Sequence, residues 1–208
     1  MVSKENFYEV IIIGGGSAGL KAASIFEREK VRYLLIHNGP RGTTCARNGC
    51  MPSKALIQIA KSFDERRKFQ TFGVQGGENL RLDIPAALKH VRVLRDGFTS
   101  GVIEDMDHMN VRYGQCRFTG PDTVRMGDEE FTARHILLCT GSSPVIPEMY
   151  QTLGDCVITT DDLFERENLP PSMTVIGLGA IGIEMGQALA RFGIKVTGIE
   201  IGKKIAGI

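Results

Sequence analysis

Hydrophobic residues near the start of the chain follow a pattern that predicts a strand, a helix and a second strand. Residues 10–13 form a β-branched apolar run, which is typical of a buried parallel strand. A glycine-rich stretch follows, and apolar residues then recur at helical spacing from Ala18 to Phe26. Residues 31–36 predict the second strand. The pattern therefore predicts a βαβ unit at the start of the chain.

Further along the chain, the hydrophobic spacing changes twice. Residues 55–63 and 85–103 carry apolar side chains at helical intervals and predict two helices. Residues 111–131 carry short strand patterns between Gly and Asp turns, which predicts a small β-meander. Residues 135–139 are apolar and predict another buried strand.

The C-terminal part predicts a linker and a second βαβ start. Prolines at 144, 147, 170 and 171 mark residues 142–171 as a linker. A strand at 173–176, a helix at 183–192 and a strand at 195–199 follow. One strand–helix–strand cannot cover both faces of a parallel sheet, so we expect this second domain to be incomplete. We predict an α/β fold with domains at 1–150 and 151–208.

Both βαβ units contain a Gly-x-Gly-x-x-Gly motif between strand and helix, the context of a diphosphate-binding turn. The first Gly makes the tight turn, the second lets the backbone approach the phosphate, and the third lets helix and strand pack closely. The N–H groups at the start of the helix then face the anion. The predicted contacts are Gly14, Gly16, Ser17, Ala18 and Gly19 in the first unit, and Gly177, Gly179, Ala180, Ile181 and Gly182 in the second. The alternative is a pair of glycine-rich turns that bind nothing.

Composition and charge narrow the choice of partners. Of the 208 residues, 42% are hydrophobic and 24% charged, and the net charge of +1 gives no reason to expect nucleic acid or an anionic membrane as partner. No run of eighteen apolar residues predicts a membrane span. The first eight residues lack the features of a secretory signal, which favours a cytoplasmic location. In a reducing cytosol, a close Cys pair favours catalysis over a structural disulfide.

The segment 42–54 holds the most specific pattern in the chain. Cys45 and Cys50 are close enough in sequence to close a small ring, and Pro52 is tolerated in a first helical turn. Lys54 follows Cys50 by one helical turn, and a lysine or a helix N-terminus stabilises a thiolate. The alternatives are an incidental Cys pair or half of a zinc site. Zinc needs about four ligands and the chain has no second such pair, so we expect no metal.

The pattern Gly-x-Thr-Cys-x-x-x-x-Cys-x-Pro-Ser-Lys resembles the active-site signature of class I pyridine nucleotide–disulfide oxidoreductases, most closely those of dihydrolipoamide dehydrogenase type. The resemblance extends over essentially the whole chain. Thr140 and Gly141 resemble part of the segment that closes the FAD domain in this family. The resemblance implies a three-layer, Rossmann-like FAD-binding domain at 1–150 that carries the meander, followed by a truncated NAD-binding Rossmann unit.

The resemblance also implies a role for each residue of the site. Cys45 would exchange with the substrate disulfide and Cys50 would communicate with the flavin. Lys54 would approach the flavin N5 edge and pair with Glu184, for which an exposed helix charge is the alternative. Thr44 and the backbone near Cys116 would contact FAD. We interpret the side chains of Cys116 and Cys139 as small core residues.

The chain departs from the family pattern at three places. His37 and Asn38 stand where an acid is expected to bind the adenosine ribose of FAD, and either neutral side chain accepts a hydrogen bond without supplying a charge. Thr43 replaces a usual Gly. The resemblance places the catalytic His–Glu pair in a C-terminal domain beyond residue 208, so we expect this chain alone to be inactive.

The expected function is that of an FAD-dependent dithiol–disulfide oxidoreductase, most like dihydrolipoamide dehydrogenase. Glu200 follows Gly182 by 18 residues, and a carboxylate there accepts from ribose hydroxyls and repels a 2′-phosphate, which favours NAD over NADP. The expected partner is a small-molecule or lipoyl-domain thiol or disulfide, and the expected parent protein is a homodimer. The alternatives are a glutathione, mercuric or other disulfide reductase, and outside this class a non-catalytic nucleotide-binding module.

Overall fold

The computed structural model describes residues 6–207, and its contacts divide the chain into two compact units. The first unit comprises residues 1–47 and 96–154, and the second comprises residues 48–95 and 155–208. The prediction for the extreme N-terminus falls partly on residues 1–5, which lie outside the described residues. None of the helices within 6–207 combines the length and apolar character that crossing a bilayer requires.

Strands and helices alternate along most of the chain. The strands are β1 (Phe7–Ile13), β2 (Tyr33–His37), β3 (Val111–Tyr113), β4 (Arg117–Phe118), β5 (Thr123–Met126), β6 (Glu129–Leu138), β7 (Ser172–Ile176) and β8 (Lys195–Ile199). The helices are α1 (Ser17–Arg28), α2 (Thr44–Arg47), α3 (Cys50–Asp64), α4 (Ile84–Asp107), α5 (Glu148–Gln151), α6 (Thr160–Leu163) and α7 (Ala180–Arg191). Short 3₁₀ turns occupy Glu65–Lys68, Gln70–Phe72, Gly77–Asn79, Gly154–Cys156 and Ile205–Gly207.

The first unit is built on a six-stranded sheet in the order β3-β2-β1-β6-β5-β4. The first four strands in this order are parallel, with Val10 of β1 opposite Tyr33 and His135. Strand β5 then pairs antiparallel with β6, and β4 pairs antiparallel with β5. Strand β1 is buried on both faces because its side chains alternate between two clusters. Ile12 packs in the cluster that includes side chains of α1, and Ile11 packs in the cluster that includes Val124 and Phe131.

This arrangement confirms the predicted α/β class and corrects two details of the predicted strands. The predicted meander at 111–131 is divided between the two edges of the main sheet. Strand β3 pairs with β2 at one edge, whereas β4 and β5 join the other edge through β6, which pairs with β1 on one side and β5 on the other. The predicted strand at 135–139 is the end of β6 and is not fully buried. Ile136 packs beside Phe131, but Leu138, two residues further on the same face, is 66% exposed because it lies beyond that cluster.

The second unit packs helices against a two-stranded parallel sheet, β7–β8. Leu56 of α3, Leu88 of α4 and Leu189 of α7 meet in one buried cluster, and Met173 and Val196 of the two strands pack against it. Helix α4 crosses the division between the units, so only its first part belongs here.

The compact units do not follow the boundary predicted after residue 150. Residues 48–95 group with the C-terminal segment, although they precede residue 150. Part of the predicted linker is also packed: Leu163, Phe164 and Leu169 are buried in the core of the second unit. Arg92 ties this segment down by donating to the carbonyl oxygens of Phe164 and Arg166, at 3.4 and 2.6 Å. The assignment of each predicted domain to a cofactor remains a prediction.

Candidate active site

The first glycine-rich turn has a backbone that only glycine can adopt. Gly14 has a φ of +111°, and its N–H donates to the carbonyl oxygen of Ile36 at 2.8 Å. A Cβ atom on Gly14 would overlap the carbonyl oxygen of Cys139, and one on Gly19 would overlap the carbonyl oxygen of Gly14. Both glycines therefore allow strand and helix to pack at van der Waals distance.

Gly16 leaves open space in front of helix α1. No heavy atom lies within 4 Å of the position a Cβ would take, and no side chain caps the helix. The first intrahelical hydrogen bond runs from Leu20 N to Gly16 O, so the N–H groups of Ser17, Ala18 and Gly19 have no partner within the helix. Free N–H groups at a helix start are suited to an anion, and the contacts of this turn with a diphosphate remain a prediction.

The second glycine-rich turn repeats this geometry. Gly177 has a φ of +88° and donates to the carbonyl oxygen of Ile199 at 2.8 Å. A Cβ on Gly182 would overlap the carbonyl oxygen of Gly177, while Gly179 has open space around it. Helix α7 starts at Ala180 and has no side-chain cap, so its first N–H groups also face outward.

Glu200 follows β8 and closes the second turn. Leu178 N donates to its Oε2 at 2.7 Å, and Gly202 N donates to its Oε1 at 3.0 Å. The N–H groups of Gly202 and Leu178 hold the pKa of Glu200 below its ordinary value, because they stabilise the carboxylate form. The residue is therefore charged at neutral pH, as its predicted role in reading ribose requires.

His37 takes the corresponding place in the first turn. Gly15 N donates to His37 Nδ1 at 3.1 Å, and Nε2 lies 3.1 Å from the carbonyl oxygen of Pro40. Asn38 is exposed. The predicted contacts of His37 and Asn38 with FAD remain predictions.

Cys45 sits in the single turn of α2 and is half-buried. Thr43, just before this helix, is 6% exposed, and its Oγ1 accepts a hydrogen bond from Ala46 N at 3.0 Å. The carbonyl oxygen of Thr43 also accepts from Arg47 N at 2.9 Å. Thr43 thus caps the turn that carries Cys45, while Thr44 is exposed.

Cys50 is exposed and begins helix α3, with Gly49 as the residue before it. Cys50 is a free thiol, and by the division of the chain Cys45 belongs to the first compact unit and Cys50 to the second. Ser53 is one turn into the helix, and Lys54 lies four residues after Cys50, on the same helical face. A reversible disulfide between the two cysteines stays a prediction.

Lys54 and Glu184 are brought together by the packing of α3 against α7. Lys54 Nζ donates to Glu184 Oε2 at 2.5 Å, although both side chains are substantially exposed. A second pair joins the same helices at their other end, where Arg191 Nε lies 3.5 Å from Asp64 Oδ2. The two helices are therefore linked at both ends of their contact.

The remaining predicted residues lie in the first unit. Cys116 packs against the cluster of Phe131, and burial raises the pKa of its thiol. Cys139 packs against the cluster of Ile12, which agrees with its interpretation as a core residue. Thr140 and Gly141 are exposed after β6. An open hollow of about 620 Å³ lies beside Cys116 and is lined by Gln115, Arg117, Arg125 and Gly127 as well.

The cap formed by Thr43 and the ion pair of Asp64 were not predicted from the sequence. The signal for Thr43 was available, since threonine is a favoured residue at the start of a helix. The pairing of Asp64 with Arg191 carries no such signal, because Arg191 is distant in sequence, unlike Arg67, which also pairs with Asp64 at 2.9 Å. Within residues 6–207, no cluster of three or more His, Cys, Asp or Glu side chains could hold a metal ion.

Comparison with known proteins gives a consistent family match. The sequence profile described as pyridine nucleotide-disulphide oxidoreductase matches residues 8–207. Similar curated proteins include dihydrolipoyl dehydrogenases from Trypanosoma brucei brucei and Bacillus subtilis. Each is 30% identical to the chain. The match with the Trypanosoma protein covers 97% of the chain and 44% of that protein, and the match with the Bacillus protein covers 95% of the chain and 45% of that protein. A mercuric reductase from Lysinibacillus sphaericus is 28% identical over 95% of the chain and 36% of its own length.

Solved structures give the same result. The Cu(II) complex of the HOCl-induced flavoprotein disulfide reductase RclA from Escherichia coli superimposes with a TM-score of 0.79 and 25% identity. The superposition covers 97% of the present chain and 44% of the RclA chain. The chain spans less than half of the length of each of these relatives.

Proposed function

Because the chain belongs to the pyridine nucleotide-disulphide oxidoreductase family, we propose that it forms the flavin-binding and dithiol part of an FAD-dependent dithiol–disulfide oxidoreductase of dihydrolipoyl dehydrogenase type. The observation that carries the proposal is the position of Cys50. It opens α3 one turn before Lys54, whose ammonium is held by Glu184. An exposed thiol near a fixed cation is suited to thiolate chemistry.

In the proposed reaction, the thiolate of Cys45 attacks one sulfur of the substrate disulfide. A Cys45–substrate S–S bond forms, and the other substrate sulfur leaves as a thiolate that takes up a proton. The thiolate of Cys50 then attacks the Cys45 sulfur, which closes the Cys45–Cys50 disulfide and releases the second substrate thiol. The substrate gains two electrons and the cysteine pair loses two. FAD, when bound, supplies the two-electron exchange that connects this pair to NAD(H).

Lys54 and the two glycine-rich turns have separate tasks in this proposal. Lys54 places a positive charge one turn from Cys50, on the same helical face. The N–H groups after Gly16 bind the FAD diphosphate, and those after Gly179 bind the NAD diphosphate. Glu200 accepts from the ribose of NAD, which favours NAD over NADP. The proposed substrate is a small-molecule or lipoyl-domain disulfide, and the proposed parent protein is a homodimer.

A mercuric or other disulfide reductase is the second candidate, favoured by the mercuric reductase and the RclA reductase among the relatives. These activities share the proposed dithiol chemistry. They differ in the substrate that receives the electrons. The test of the shared chemistry therefore comes before the test of the substrate.

Thiol trapping followed by mass spectrometry tests the dithiol chemistry on the purified chain. After treatment with oxidised lipoamide, the peptide that carries Cys45 and Cys50 should lose two hydrogens, and mild reduction should restore them. Cys45→Ser and Cys50→Ser should each abolish this change, while labelling of Cys156, an exposed thiol outside the motif, serves as the internal control. Persistence of both free thiols in folded protein under excess disulfide would contradict the proposal.

A further inference from the structure

The imidazole of His37 has no hydrogen-bonding capacity left for a ligand. A neutral imidazole has one acceptor nitrogen and one N–H donor. Because Gly15 N is a donor, Nδ1 must be the acceptor, at 3.1 Å. The ring proton is then on Nε2, which donates to the carbonyl oxygen of Pro40 at 3.1 Å. A single tautomer satisfies both contacts, and both ring nitrogens are used inside the protein.

Packing fixes the ring in this position. A Cβ atom on Gly15 would lie 3.0 Å from His37 Cγ, and one on Gly39 would lie 3.1 Å from Cε1. The ring therefore lies against the backbone of two glycines, with the ring of Tyr113 edge-on at 6.2 Å. The carbonyl oxygen of His37 also accepts from Gly114 N at 2.9 Å. Rotation of the ring toward a ligand would break its contacts with Gly15, Gly39 and Tyr113.

Glu200 shows what a carboxylate does in the corresponding place. Its two oxygens accept one backbone N–H each, from Leu178 and Gly202. A carboxylate offers about four acceptor sites, so even with a further contact from the N–H of Ile201 about one remains for a hydroxyl of a ribose. Glu200 thus closes its turn and can still bind the sugar, whereas His37 closes its turn and cannot.

We infer that His37 is an internal lock on the phosphate-binding turn, and that the first unit binds its adenosine nucleotide without selecting the ribose 2′-hydroxyl. This inference rests on the proposed binding of FAD. The ligand class is an adenosine diphosphate group whose ribose is read weakly or not at all by the residue at the end of β2. His37 is therefore a specificity-determining residue, because it removes the acceptor that a carboxylate would supply.

The tautomer of His37 can be measured without any ligand. We expect nitrogen NMR of the full 208-residue chain at neutral pH to show His37 with a protonated Nε2 and an unprotonated Nδ1. His135, which is exposed, provides a comparison within the same spectrum. A protonated Nδ1, or a ring that averages between tautomers as a free histidine does, would overturn the inference whatever the chain binds.

Flavin binding then tests the specificity. The chain is titrated with FAD and with an analogue that carries 2′-deoxyadenosine, and binding is followed by flavin fluorescence anisotropy. For the unchanged chain, the two dissociation constants should agree within about threefold. For His37→Glu, the analogue should bind about tenfold or more weakly than FAD, because hydrogen bonds to a charged acceptor are the strong ones. His37→Gln introduces a side chain as long as glutamate but uncharged. This variant should keep the ratio of the two dissociation constants found for the unchanged chain.

The outcomes separate this inference from the proposed function. A tenfold or greater preference of the unchanged chain for FAD over the analogue would overturn the inference while supporting FAD binding. If neither flavin binds, the proposed function fails, and the tautomer measurement still decides the role of His37. If His37→Glu does not fold, the ratio for the unchanged chain and the tautomer remain sufficient to decide.

Discussion

Lys54 Nζ lies 2.5 Å from Glu184 Oε2, so an ion pair fixes the ammonium on the face of α3 that carries Cys50. Both side chains are largely exposed, and an exposed pair contributes about 0–1 kcal/mol to stability. The contribution to folding is therefore small. The main effect of the ion pair is to hold the ammonium of Lys54 on the helical face that carries the thiol of Cys50.

We expect Lys54→Met to slow the alkylation of Cys50 by iodoacetamide at neutral pH by about twofold to fivefold, the range that an exposed charge contact supports. Glu184→Gln should have a weaker effect in the same direction, because the lysine keeps its charge and loses only its anchor. Rates are measured by mass spectrometry of the Cys50 peptide. Lys61→Met, on the exposed face of the same helix, is the control, and an equal effect of this variant would refute a specific role for Lys54.

Thr43 should stabilise the turn that carries Cys45. Thr43→Val keeps the shape of the buried side chain but loses the hydroxyl that accepts from Ala46 N. We expect the free energy of unfolding to fall by about 1 kcal/mol, the usual cost of losing such a cap. Thr43→Ser retains the hydroxyl and should recover most of this loss in urea unfolding. Equal stability of the valine and serine variants would show that the hydrogen bond contributes nothing.

Glu200 should set the nicotinamide cofactor preference of the second unit. We expect the chain to bind NADH more tightly than NADPH, and Glu200→Gln to reduce this preference by about tenfold, since a charged acceptor is lost. The N–H groups of Gly202 and Leu178 lower the pKa of Glu200, so the carboxylate stays charged above its ordinary pKa of about 4.3. The affinity for NADH, which has no 2′-phosphate to titrate, should therefore be constant from pH 6 to 8 in fluorescence titrations. Tighter binding of NADPH by the unchanged chain would refute this role.

Tyr33 should make stability depend on pH in the alkaline range. Its hydroxyl donates to Glu27 Oε1 at 2.7 Å, and burial together with this bond raises the pKa of Tyr33 to about 12. The folded state therefore keeps a proton that the unfolded state loses near pH 10. The resulting stabilisation is fully present below about pH 10 and is lost as the pH rises toward about 12.

The measurement compares urea unfolding of the chain and of Tyr33→Phe between pH 8 and pH 12. The stability of the unchanged chain should fall more steeply above pH 10 than that of the variant, which has no hydroxyl to titrate. Parallel profiles would mean that Tyr33 does not contribute to the alkaline dependence.

The first βαβ unit could be predicted from sequence because each of its signals is local. A β-branched run, a glycine turn and helical spacing determine β1 and α1 with little help from distant residues. Helix α3 begins at Cys50, earlier than the apolar spacing from residue 55 predicted, because Pro52 is accepted in its first turn. A prediction from the spacing of apolar residues misses a first helical turn that contains mostly polar residues and proline.

The division into compact units could not be predicted, because no local signal marks it. Helix α4 passes from one unit to the other without a break in its pattern, and the early segment 48–95 joins the C-terminal one through packing alone. The two bonds of His37 were hidden for the same reason. Its partners, Gly15 and Pro40, offer only backbone atoms, which sequence patterns do not distinguish.

The last prediction is that residues 1–208, assayed alone with FAD, do not catalyse NAD-linked oxidation of dihydrolipoamide. Exchange requires a base that takes a proton from the attacking thiol and returns it to the departing one. His37 cannot serve, because both of its ring nitrogens are engaged within the turn. The other histidines, His90, His108 and His135, lie outside the cysteine-bearing segment 44–64. We expect single stoichiometric exchange at Cys45 and Cys50, detected by mass spectrometry, without steady-state production of NADH. Turnover within about a hundredfold of an intact homologue, a loss comparable to that of one acid–base group, would contradict this account of the proton transfer.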